Sequence, residues 1–111
     1  RGKAVLMFDD MITTAGTVTE AARVVTQHGA ARVIAAATHP VLVGPALQRL
    51  SDSPISRVVT TNTIPDGPRV EPIRHKLVQL CVSRLLAEAI HRTHHNMSIS
   101  ALFRQTSGVK R

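Results

Sequence analysis

The feature that most constrains this chain is an alternation. Short runs of apolar and β-branched residues are separated by segments whose apolar residues recur at helical spacing. Ala4-Val5-Leu6-Met7-Phe8 is an unbroken apolar run, the pattern of a strand buried on both faces, and Asp9 and Asp10 end it. Arg32 to Thr38 reads as the next buried strand, Arg57 to Thr61 as a third and Lys76 to Val82 as a fourth. Between the first two runs, Val18 to His28 has a helical pattern with Ala21, Ala22, Val24 and Val25 as its apolar stripe and Gly29 as its stop. A short helix is expected over Pro45 to Leu50. Another is expected from Ser83 to about Thr93, with Leu85, Leu86, Ala89 and Ile90 at core spacing, and Ser98 to Phe103 adds a helical turn. The segment holding Pro65, Asp66-Gly67, Pro68 and Pro72 reads as the most mobile loop. This order implies an α/β domain, a mostly parallel sheet flanked by helices and covered on both sides through right-handed crossovers. Ligands of such sheets sit at the carboxyl ends of the strands, where Asp9, Asp10, His39 and Asn62 fall.

At 111 residues the chain has the length of one domain. No apolar run is long enough to span a membrane, and the basic start is not followed by the apolar core of a signal peptide, so the cytoplasm is the expected compartment. Cys81 stands alone, which excludes an internal disulfide and a cysteine metal cage, and it reads as a core residue of the fourth strand. The formal charge is +7, with 6 Lys/Arg against 4 Asp/Glu up to residue 65 and 8 against 3 from Asp66 onward. A field of that sign favours phosphates. With two Phe and no Trp or Tyr, the stacking platforms of a single-strand binder are missing, so nucleic acid is not the expected partner. His91, His94 and His95 share about one helix face, but no Cys or carboxylate completes a metal set. They read as partners of the helix C-terminal dipole, and no metal ligand is assigned in the chain.

The chemistry concentrates in Phe8-Asp9-Asp10-Met11-Ile12-Thr13-Thr14-Ala15-Gly16-Thr17. A buried strand delivers two carboxylates to the sheet edge, and a turn of small residues runs into a helix start, whose unpaired N–H groups and positive dipole end can hold an anion. Gly16 allows close backbone approach, and the hydroxyls of Thr13, Thr14 and Thr17 add donors. Neighbouring residues of a regular strand face opposite ways, so Asp9 and Asp10 serve one ligand only where the chain turns. Ionised, they accept hydrogen bonds from a sugar diol. A second reading stays open: Thr17-Val18-Thr19-Glu20 matches a capping box, in which the helix start satisfies itself and needs no ligand.

These residues resemble a known family. FDDMITTAGTV is similar to the phosphoribosyl pyrophosphate binding motif of type I phosphoribosyltransferase folds, a Rossmann-like architecture. More specifically, the chain resembles the C-terminal part of ribose-phosphate pyrophosphokinases. ATHPVLVGPALQRL is similar to their T-H-G-x-x-S-G-P-A segment, VVTTNTIP to V-T-N-T-I-P, and LLAEAIHRTHHNMSISALF to their closing segment, so that nearly all of residues 1 to 104 is covered in order. The resemblance implies that Asp9 and Asp10 hold ribose hydroxyls and that Thr13, Thr14, Ala15, Gly16 and Thr17 form the cradle for the 5-phosphate of ribose 5-phosphate. It implies transfer of the β,γ-diphosphate of ATP to the sugar, with Mg²⁺ as cofactor held largely outside this chain. It also implies a phosphate or ADP effector site that includes Ser98, Ser100 and Phe103, and a homo-oligomer. On this reading residues 1–111 are a C-terminal phosphoribosyltransferase-type domain lacking the nucleotide-binding half. No catalytic residue falls inside it, and the fragment alone is expected to be inactive. Thr13 stands where many members carry an acid and cannot serve as a base near neutral pH. This keeps a catalytically inactive regulatory subunit as the alternative, with a base-transferring phosphoribosyltransferase as another.

Overall fold

The computed structural model describes residues 1–107. It divides into two compact units, Arg1–Leu80 and a second beginning at Cys81.

The first unit is a four-stranded parallel sheet in the order β1-β2-β3-β4, formed by Ala4–Ile12 (β1), Arg32–Pro40 (β2), Ile55–Thr61 (β3) and Leu77–Leu80 (β4). The connections are helices α1 (Gly16–Gln27) and α2 (Ala46–Asp52) and a 3₁₀ helix over Pro68–Lys76. Each strand is added on the same side of its predecessor. Right-handed crossovers in one direction place every connecting element on one face of the sheet. The core reflects this: Val33, Ala35, Ala37 and Val58 of the strands bury with Ala22, Ala46, Leu50, Val70 and Ile73 of the connections. Leu6, Phe8, Val78 and Leu80, which alternate away from that core, remain exposed, with Phe8 77% accessible. The expectation of cover on both sides is therefore corrected for this unit, because one-way strand order gives the second face no crossover of its own.

A bulge serves the packing. Val33 pairs with Ile55 and Ile34 with Arg57, so Ser56 is skipped, and its Oγ donates to the Val33 carbonyl at 3.0 Å. Residues three apart would otherwise face opposite ways; the extra residue lets both Ile55 and Val58 enter the core.

Three further expectations change. The proline-rich segment is no open loop, since its 3₁₀ helix buries Val70 and Ile73 completely. Lys76, read as the first residue of a strand, ends that helix with 7% of its surface exposed, its Nζ donating to the carbonyls of Leu50 (3.0 Å) and Ser51 (3.4 Å). Burial pushes its ammonium below the ordinary lysine value of 10.5, partly offset by the Asp52 carboxylate. Cys81 lies beyond β4 and is exposed, because the strand stops at Leu80.

The second unit contains helices α3 (Ser83–His94) and α4 (Ser100–Ser107). No residue of α3 is fully buried, and Leu85, Leu86 and Ile90 are 53%, 53% and 69% exposed, against the core role their spacing suggested. His91 and His95 lie with ring centroids 4.3 Å apart, and His95 Nδ1 is 2.9 Å from the His91 carbonyl at the helix end.

Candidate functional site

The site is built where β1 gives way to α1. β1 does not end at the two acids: it runs on to Ile12, with Asp9 opposite Ala37 and Met11 opposite His39. The acids lie within the strand, both exposed, and the Asp10 amide donates to Asp9 Oδ1 at 2.7 Å. The turn falls after them, at Thr13 to Ala15. Ala15 is the N-cap of α1 with φ 64° and is only 5% exposed. A left-handed alanine costs roughly 1–2 kcal/mol. Burial of its methyl group in the core helps offset that cost.

The helix start bears on the capping-box reading. No side chain caps α1. Thr19 Oγ1 turns back onto the carbonyls of Ala15 (2.6 Å) and Gly16 (3.2 Å), and Glu20 pairs with Arg23 at 3.4 Å instead of folding over the helix start. The capping box is not formed. First-turn N–H groups of a helix have no intrahelical acceptor, so those at the start of α1 are left to a ligand or to water.

The carbonyls of the turn, in contrast, are occupied. Leu42 N donates to Ile12 O at 2.9 Å, Val43 N to Thr13 O at 2.9 Å, and Arg49 Nη1 to Thr14 O at 3.2 Å. An anion site needs its donors free and its acceptors engaged, and here three successive acceptors are engaged by residues 42–49. That second loop is braced in turn. The guanidinium of Arg69 donates to the carbonyls of Pro40 (3.0 Å), Val41 (3.0 Å) and Leu42 (3.2 Å).

The turn opens onto a cavity of about 370 Å³, within the size range of small-ligand sites. Asp9, Thr13, Thr14, Ala15, Gly16 and Thr17 all line it. Asp10 does not. His39 sits at the end of β2 with Nδ1 2.9 Å from Thr63 Oγ1, a contact with the segment after β3 rather than a place in the cavity wall. Asn62 follows β3 at the same edge, its amide donating to Leu80 O at 3.0 Å. Arg49 and Arg69 were not singled out in the sequence, since scattered basic residues give no local signal of the carbonyls they reach. Among the described residues no group of three or more His, Cys, Asp or Glu could hold a metal ion. Asp9 at the cavity wall is a single carboxylate, which suits a cation held mainly through water.

A family model described as phosphoribosyl synthetase-associated domain matches residues 1–104. The chain belongs to that family. It is 53% identical over 105 residues to a ribose-phosphate pyrophosphokinase of Rhodopirellula baltica, covering 94% of this chain and 32% of that protein. It is 46% identical over 104 residues to a ribose-phosphate pyrophosphokinase of Bacillus subtilis, covering 92% and 32%. The crystal structure of phosphoribosylpyrophosphate synthetase from Mycobacterium smegmatis superposes with a TM-score of 0.81 at 38% identity, over 86% of this chain and 32% of that one. The family member described here thus spans about a third of the length of the curated relatives it matches. Its parallel α/β fold is that of the synthetase structure. Among the described residues no helix is long and apolar enough to cross a membrane.

Proposed function

We propose that this chain is the ribose 5-phosphate binding part of a ribose-phosphate pyrophosphokinase that works in the cytoplasm as a homo-oligomer. The observation that carries the reading is the turn at Thr13–Ala15: it opens an uncapped helix, its carbonyls are engaged by a neighbouring loop, and it shares a cavity with Asp9. The 5-phosphate takes the amides of Gly16 and Thr17 and the hydroxyls of Thr13, Thr14 and Thr17. Asp9 accepts from the ribose hydroxyls, and Asp10 supports it from the other side of the strand. In the reaction the 1-hydroxyl oxygen attacks the β-phosphorus of ATP, the bond from that phosphorus to the α–β bridging oxygen breaks, AMP leaves, and the hydroxyl proton is lost. Mg²⁺, when bound, neutralises charge on the transferring phosphates. This chain's contribution is to hold the acceptor still and oriented. The adenine-binding portion belongs to the length of the relatives that this chain does not span.

In the second unit, Ser98 Oγ and Ser100 Oγ are 2.6 Å apart at the start of α4, Arg104 Nη2 is 3.4 Å from Ser100 Oγ, and Phe103 is 69% exposed. Hydroxyls, helix start and guanidinium suit a phosphate or ADP effector.

The test is an assay, on a polypeptide spanning the full length of the relatives, for ribose 5-phosphate-dependent release of AMP from ATP. Release that is lost in Asp9→Asn supports the enzyme. Binding of ribose 5-phosphate without AMP release assigns the inactive regulatory role, and no binding removes the reading.

A further inference from the structure

The glycine of the turn has an unexpected neighbour. Gly16 is helical, and its φ lies outside the left-handed region, so its backbone conformation is open to any residue. A Cβ there would instead meet Arg49 Nη1 at 3.1 Å, with Thr14 Oγ1 at 3.8 Å. The space beside Gly16 is occupied by a guanidinium delivered from α2, a crossover away in the chain. Among the described residues Arg49 pairs with no carboxylate, whereas Arg23, Arg74 and Arg92 each pair with an acid. Its Nη1 donates to Thr14 O at 3.2 Å. Arginine has five donors, and with Nη1 3.1 Å from where a Gly16 Cβ would stand, the guanidinium lies beside the start of α1.

We infer that Arg49 is the fixed cation of the phosphate cradle, and that position 16 is glycine to leave it room. The inference rests on the proposed ribose 5-phosphate site and deepens it, because it assigns the site a preference for a doubly charged phosphate over a singly charged ester. Backbone amides bind both. A guanidinium against the anion gains more from the second charge, and a charge-assisted bond from this exposed side chain is worth about tenfold in affinity. Gly16→Ala acts on the same contact. The added methyl pushes the Arg49 tip away, so the two positions behave as a coupled pair.

Calorimetric titration of the full chain with ribose 5-phosphate and with ribose 5-sulfate, a permanent monoanion, separates this role from bracing of the turn. Wild type should prefer the phosphate. Arg49→Gln should weaken ribose 5-phosphate about tenfold but ribose 5-sulfate much less, Arg49→Lys should keep most of the preference, and Gly16→Ala should lose affinity that is not lost again in the double variant with Arg49→Gln. Equal weakening of both ligands in Arg49→Gln, additive losses in the double variant, or unchanged binding would overturn the inference while leaving the sugar phosphate site in place. Failure of the wild-type chain to bind either ligand would remove the site itself, and the inference with it.

Discussion

Arg69 makes a demanding test of how the turn is held. Its guanidinium donates from Nη2 to Pro40 O at 3.0 Å and from Nη1 to Val41 O at 3.0 Å and Leu42 O at 3.2 Å. Pro40 and Leu42 are buried, so their carbonyls have little access to replacement water. The two Nη1 contacts share one nitrogen, so we count two effective bonds from a charged donor at about 1.5 kcal/mol each, and Arg69→Met should cost about 3 kcal/mol. Arg69→Lys should recover about half, since an ammonium cannot span a row of carbonyls as a planar fork does. Urea denaturation with linear extrapolation reads both numbers. The loss should reach the ligand site as well, because Leu42 N and Val43 N hold the carbonyls of Ile12 and Thr13. Ribose 5-phosphate affinity of the folded Arg69→Met chain should fall. A cost under about 1 kcal/mol, or full recovery by lysine, would refute the reasoning that this brace supports the turn.

Other outcomes follow from single contacts. Thr60 Oγ1 is buried without a hydrogen-bond partner, so the nearly isosteric Thr60→Val should stabilise the fold by about 1 kcal/mol, read by the same denaturation. Burial lowers the pKa of Lys76 from 10.5, so the folded chain holds that proton less tightly than the unfolded chain does. The penalty is complete below the folded value and is released as pH rises through it towards 10.5, so wild-type stability relative to Lys76→Met should rise with pH over that interval. A flat difference would contradict this. Asp9 lines the cavity and Asp10 does not, so Asp9→Asn should weaken ribose 5-phosphate binding more than Asp10→Asn in a side-by-side titration.

The sequence made the parallel α/β architecture legible because apolar or β-branched runs mark the strands and helical spacing marks the first two crossovers. It also placed Asp9, Thr13, Thr14, Ala15, Gly16 and Thr17 together, since neighbours in a tight turn stay neighbours in space. What it hid was of longer range. The 3₁₀ helix over Pro68–Lys76 looked like a loop because six of its nine residues are proline or charged, while the burial of Val70 and Ile73 depends on α2 and β3 being beside them. Within the first unit, the placement of every connecting element on one face of the sheet follows from strand order, which no local window contains. The capping box failed because α1 begins at Gly16, two residues before the expected start, leaving Thr17 inside the helix rather than at its cap. Arg49 and Arg69 act on backbone 35 and 27 to 29 residues away, a separation that residue type alone does not reveal.

The central claim is that the amides at the start of α1 bind the phosphate of a phosphorylated pentose. Titration of the ¹⁵N-labelled chain with ribose 5-phosphate, followed amide by amide, tests it most directly. The account predicts that Gly16, Thr17 and Val18 shift most and saturate together with Asp9. Saturable binding that leaves those amides unmoved would contradict it.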